Sequence, residues 1–108
     1  MRQKLPNRRA SDLFECVYEG KAYHVGVGFF DDGRVAELFI DAPKTASQMT
    51  AVMRDAAVLI SLALQYGAPL DELKEAVTRL EDGTTPASPI SAIIDAVTEF
   101  MTDNARDA

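Results

Sequence analysis

The chain has 108 residues, with 11 basic and 17 acidic side chains, a formal net charge of -6 and a single cysteine. That length supports one domain and excludes the two-domain clefts of most stand-alone enzymes, while a composition of 47% hydrophobic and 26% charged residues describes a chain that buries one modest core rather than a disordered tail. Cys16 alone excludes an internal disulfide, a CxxC redox pair and a cysteine-based zinc cluster; the longest strongly apolar stretch, Ala56 to Leu64, falls far short of the roughly 20 residues needed to cross a bilayer, so a cytoplasmic, membrane-free protein is expected.

The charge is unevenly spread. Arg2, Lys4, Arg8 and Arg9 place +4 on the first nine residues, leaving -10 on residues 10–108. Residues 1–12 read as a basic arm and residues 13–104 as a single domain. Such an arm can be a solvated N-terminus, can dock on the phosphates of a nucleotide or nucleic acid or on an acidic protein surface, and can fold back on its own acidic body.

From Leu13 to Ile40 the period is two. Phe14, Cys16 and Tyr18 alternate with Glu15 and Val17, Glu19-Gly20 punctuates, and Tyr23, Val25 and Val27 alternate with His24, Gly26 and Gly28. Asp32-Gly33 supplies the positive φ of a second tight turn before a third strand, Val35 to Ile40. Gly26 and Gly28 share a strand face, which predicts that a helix or another backbone comes close there; the GVG between them lacks the context of a phosphate loop.

After Asp41 to Thr45 the period becomes 3.6. Met49, Val52, Met53, Ala56, Leu59, Ile60, Ala63 and Leu64 predict one apolar face on a helix from Ser47 to Tyr66, stopped by Gly67. Pro69 starts a second helix carrying Leu70, Leu73, Val77 and Leu80, ended by Gly83. Ser88-Pro89 caps a third with Ile90, Ile93, Ile94, Val97, Phe100 and Met101 on its apolar face, and Asn104 to Ala108 should fray. The fold class is α+β: a three-stranded antiparallel β-meander followed by three α-helices. Its apolar surface exceeds what so short a chain hides, which calls for a homodimer or docking onto a larger protein.

The chemistry is sparse. His24 sits mid-strand without an acid-base companion, and Cys16 reads as a small buried hydrophobe beside Glu15. No HExxH or Cys/His metal spacing occurs, and no cofactor is expected. Glu37 lies in an otherwise apolar strand; it faces solvent by default or else is buried against a cation such as Arg34, Arg54 or an arginine of the arm. Arg54 and Asp55 are about 100° apart on their helix and flank its apolar stripe, so each can meet the sheet or another subunit.

Several segments together resemble the TSCPD domain family: Leu5-Pro6-Asn7-Arg8-Arg9-Ala10-Ser11, Asp32-Gly33-Arg34-Val35-Ala36-Glu37-Leu38-Phe39, Arg54-Asp55-Ala56-Ala57 running to Ala63-Leu64-Gln65-Tyr66-Gly67, and Leu80-Glu81-Asp82-Gly83. That domain is found near the C-terminus of adenosylcobalamin-dependent ribonucleotide reductases and as short free-standing proteins. The reductase barrel, its radical-generating cysteine, its cobalamin contacts and its shuttling cysteine pair have no counterpart in a chain with Cys16 alone. The loop Thr84-Thr85-Pro86-Ala87-Ser88-Pro89 keeps a proline of the naming motif and loses the cysteine. The resemblance implies a non-catalytic, free-standing accessory domain that binds a reductase or a related protein. Arg8, Arg9, Arg34, Glu37, Arg54 and Asp55 are its candidate binding residues, and no catalytic or metal residue is expected. The alternative is a small nucleic-acid-binding protein that uses the basic arm.

Overall fold

The computed structural model describes residues 1–8, 10–43 and 47–107. Three strands, β1 (Ser11–Tyr18), β2 (Lys21–Phe29) and β3 (Val35–Asp41), precede three helices, α1 (Ser47–Gln65), α2 (Leu70–Ala76) and α3 (Pro89–Asp107). The strands form one antiparallel sheet in the order β1-β2-β3. This is the expected meander and three helices, with α3 running on through the residues expected to fray.

The turns follow from the residues that make them. Glu19 at φ 50° and Gly20 at φ 76° form the two-residue loop that joins Tyr18 to its partner Lys21, a conformation matched to the strand twist. Between β2 and β3, Gly33 at φ 88° donates its N–H to the Phe30 carbonyl, and the Phe30 N–H donates to the Arg34 carbonyl, which closes a three-residue loop. Alternation then sorts the side chains. Tyr23, Val25 and Val27 of β2, Leu38 and Ile40 of β3 and Cys16 of β1 point to the helices and are buried, whereas Leu13, Val17 and Phe39 stand exposed on the outer face.

α1 packs along β3, and α3 packs against β1, where the Phe100 ring stacks on Phe14 at 5.4 Å. Gly67, at φ 101°, ends α1: its N–H donates to the Leu64 carbonyl and that of Ala68 to the Ala63 carbonyl, the paired bonds of a glycine C-terminal motif. α3 starts as expected, with Ser88 Oγ accepting from the Ser91 N–H while Ser91 Oγ accepts from the Ser88 N–H.

Three expectations need correction. The inward face of α1 is rotated from the predicted one: Met53, Ala57, Leu64 and Gln65 are buried, while Val52 and Leu59 are 58% and 67% exposed. α1 lies at the edge of the sheet, and the side that faces the edge strand must supply polar groups as well as apolar ones. α2 ends at Ala76, not near Gly83, because Val77 turns extended and residues 78–87 form a hairpin-like loop in which Arg79 pairs with Pro86. Leu80, assigned from its spacing to the helix, is exposed on that loop. Finally, what crowds Gly26 and Gly28 is neither a helix nor a backbone. A Cβ at Gly26 would stand 3.2 Å from Leu13 Cδ2, and one at Gly28 would stand 2.4 Å from the Glu37 carboxylate.

Candidate functional site

β3 is an edge strand, and its outward backbone groups need partners. Two polar residues one turn apart on α1 supply them. The Leu38 N–H donates to Ser61 Oγ at 2.9 Å, and Gln65 Nε2 donates to the Ala36 carbonyl at 3.1 Å. Ser61 Oγ lies 2.7 Å from the Ala57 carbonyl one turn before it, where its hydroxyl can donate.

Gln65 also anchors the arm. Arg2 Nε donates to Gln65 Oε1 at 2.6 Å, and the Gln3 N–H donates to the Gln65 carbonyl at 2.7 Å. A hydrogen-bonded relay thus runs from Arg2 through Gln65, only 4% exposed, to the carbonyl of Ala36. At the next step Arg34 Nη2 donates to Gln3 Oε1 at 3.1 Å. The arm therefore folds back on the domain, held through Gln65 and Arg34.

The folded arm walls a groove of about 690 Å³ between β3 and α1. Leu5, Phe39, Val58 and Leu62 give it an apolar lining, Arg2 and Arg54 bring guanidinium groups, and Glu37 and Asp41 bring carboxylates. A second depression of about 490 Å³ shares Glu37 and Phe39 with the first and is bounded by Asn7, Arg8 and Ser11. The two form one continuous surface around the exposed Phe39 ring.

Of the residues singled out from the sequence, this surface gathers Arg8, Glu37 and Arg54. Arg9 lies outside the described residues. Glu37 is not on open solvent, the default for its strand: it is 7% exposed and engaged within the fold, its side chain laid across Gly28 where the missing Cβ leaves room. Arg34 stands apart. It forms an ion pair with Asp32 at 2.7 Å, lies 4.8 Å over the Phe30 ring, and its hydrogen bonds hold the Asp32 carboxyl below its ordinary value. Asp55 is exposed on α1, outside these depressions.

The residues set aside for chemistry have ordinary surroundings. His24 Nε2 lies 3.6 Å from Glu15 on the exposed sheet face, its cross-strand neighbour. Cys16 is buried, and burial, helped by the charge of Glu99, pushes its thiol above the ordinary range, which disfavours the thiolate that redox chemistry would need. Among the described residues, no group of three or more His, Cys, Asp or Glu side chains is placed to hold a metal ion, and no helix is long and apolar enough to cross a membrane.

Sequence reasoning missed Arg2, Ser61, Gln65 and Arg79. Ser61 and Gln65 carried a legible signal, two polar residues four apart inside an apolar run. Arg79 had none that was local: its Nη1 and Nη2 donate to Asp95 on α3 at 2.6 and 2.8 Å, and Nη2 also donates to the Lys74 carbonyl at 3.0 Å at the end of α2. This bidentate pair fastens the 78–87 loop, the position of the divergent motif, to α3.

The family model of the TSCPD domain matches residues 3–101. A vitamin B12-dependent ribonucleotide reductase of Agrobacterium fabrum is 44% identical over 77 residues, which is 71% of this chain and 6% of the relative. Its counterpart in Bradyrhizobium diazoefficiens is 38% identical over 91 residues, 82% of this chain and 7% of the relative. That of Rhodopirellula baltica is 34% identical over 82 residues, 74% of this chain and 8% of the relative. The chain thus spans less than a tenth of the length of the reductases it matches. No solved structure gives a significant match.

Proposed function

The chain belongs to the TSCPD domain family, and from that premise we propose that it is a non-catalytic accessory domain of deoxyribonucleotide metabolism, acting by docking on a protein of the ribonucleotide-reductase type. The observation that carries the reading is the match itself: a domain that makes up 6–8% of much larger reductases has its natural workplace against a large reductase body. The surface around Phe39 fits such a role. It joins an exposed aromatic ring to the guanidinium groups of Arg8 and Arg54, the mixture enriched where proteins meet. Arg9 extends the same basic run in sequence, while Arg34, already paired with Asp32, lies apart from this surface.

A second copy belongs to the same reading, because Leu13, Val52, Leu59 and Tyr66 leave apolar surface for a homodimer to cover. Nucleic-acid binding would instead need the arm free to track phosphates, and Arg2 and Gln3 are committed to Gln65.

The test is binding to a vitamin B12-dependent reductase chain from which the corresponding domain has been deleted, followed by calorimetry. Docking is expected, with Arg8→Ala and Arg54→Ala each weakening it about tenfold. No interaction at micromolar concentrations, or full affinity in the double variant, would sink the proposal.

A further inference from the structure

α1 carries a second apolar stripe, on the side turned away from the sheet. Val52 and Leu59, with Tyr66 directly after the last helical residue, recur every seven residues and are 58%, 67% and 63% exposed. Seven residues are close to two helical turns, so the three side chains stand in one line with Ala56 and Ala63 beside them. Only Arg54 and Asp55 are charged among the 19 residues of this helix, in a protein of net charge -6.

From this we infer that α1 is a homodimer interface, in which the α1 helices of two copies lie antiparallel across a two-fold axis at Leu59. The inference rests on the homodimer of the proposed function and names its surface and register. Three observations favour a second copy over another occupant. The first is electrostatic: a nearly neutral helix is where two acidic molecules approach with least repulsion, whereas the outer sheet face presents the exposed carboxylates of Glu15 and Asp41.

The second is shape. A two-fold at Leu59 sets Leu59 against itself and places Val52 of each copy opposite Tyr66 of the other, so the smaller side chain meets the larger along the line, as a self-complementary isologous interface requires. Antiparallel helices also set their dipoles head to tail.

The third is charge complementarity. In that register Asp55 of one copy lies level with the last turn of α1 in the other, where Arg2 is fixed on Gln65. A two-fold axis perpendicular to the plane of the two helices keeps both groups on the same flank of the contact. Among the described residues Asp55 has no ion-pair partner within its own chain, and Arg2 uses only Nε on Gln65, which leaves its Nη groups to reach across. A contact along a single helix sits at the small end of specific interfaces, near about 1,200 Å² in total, and a dissociation constant on the order of micromolar is expected.

Sedimentation equilibrium across the micromolar range tests this. The wild-type chain is expected to pass from monomer to dimer. Leu59→Lys, which sets two ammonium groups together at the axis on a residue exposed in the protomer, should stay monomeric with an unchanged circular dichroism spectrum. Asp55→Arg should weaken the dimer about tenfold, and the double variant with Arg2→Glu should recover most of the loss. A wild-type monomer throughout, a dimer that persists in Leu59→Lys, or a charge swap without recovery would overturn the assignment. Reductase binding measured on monomeric Leu59→Lys separates the two proposals: docking without dimerisation leaves the accessory role standing, and dimerisation without docking leaves the interface standing.

Discussion

α1 and α3 have the same length, 19 residues, and meet opposite demands. α3 presents to the interior a face that includes Ile93, Ile94 and Val97, all at 0% exposure, and a serine pair closes its first turn. α1 gives part of its inward face to Ser61 and Gln65, because it lies along an unpaired strand, and keeps Val52, Val58 and Leu59 outside. A helix that completes a core needs only apolar contact. One that guards a sheet edge must carry polar groups inward, and its surplus apolar residues turn outward to wherever a partner stands.

The largest expected effect tests whether the two apolar faces differ in kind. Ile93→Ala should cost about 3 kcal/mol in urea denaturation, whereas Leu59→Ala should stay within about 0.5 kcal/mol of wild type below the dimerisation range. Equal losses would erase the distinction. Next is the seal on β3: Ser61→Ala leaves the Leu38 N–H without its acceptor and should cost about 1–2 kcal/mol, with faster amide exchange at Leu38. The corresponding polar device of α3, its cap, should be worth about 1 kcal/mol, read from Ser88→Ala.

The smallest effect concerns pH. Asp82 accepts from the Thr85 hydroxyl and from the Thr85 and Thr84 backbone N–H groups, and these bonds, the hydroxyl's first, lower its pKa from 3.8 to about 2. A carboxyl with a depressed folded-state pKa adds stability that is complete above its unfolded value and is lost as the pH falls. Stability should therefore decline between about pH 4 and pH 2, and Asp82→Asn should flatten that part of the profile; an unchanged acid limb would remove the loop's carboxylate from the account.

Strand alternation, glycine turns and the Ser88-Pro89 cap are local signals, and they placed most elements of the fold. The end of α2 was hidden because it depends on Asp95, sixteen residues beyond Arg79 in the sequence. α1's rotation was hidden for a related reason: periodicity finds an apolar face but not which of two apolar arcs meets the sheet. In the candidate site, the convergence of Arg8, Glu37 and Arg54 needed the strand register, and the burial of Glu37 needed the empty Cβ position of Gly28 across the ladder. Asp55 and Arg34 share sequence segments with site residues and point elsewhere.

The seal that Ser61 and Gln65 place on β3 also bears on how the molecule fails. Fibres built by strand addition need two open edges, one copy's β1 laid against the next copy's β3, repeated without end. With the Leu38 N–H and the Ala36 carbonyl already bonded to α1, that head-to-tail step loses a donor and an acceptor in the middle of the edge. Pairing of β1 against β1, by contrast, stops at two copies. The same two side chains that fix the helix on the sheet thus set a ceiling on polymer growth, and loss of either should show first as a tendency to form filaments.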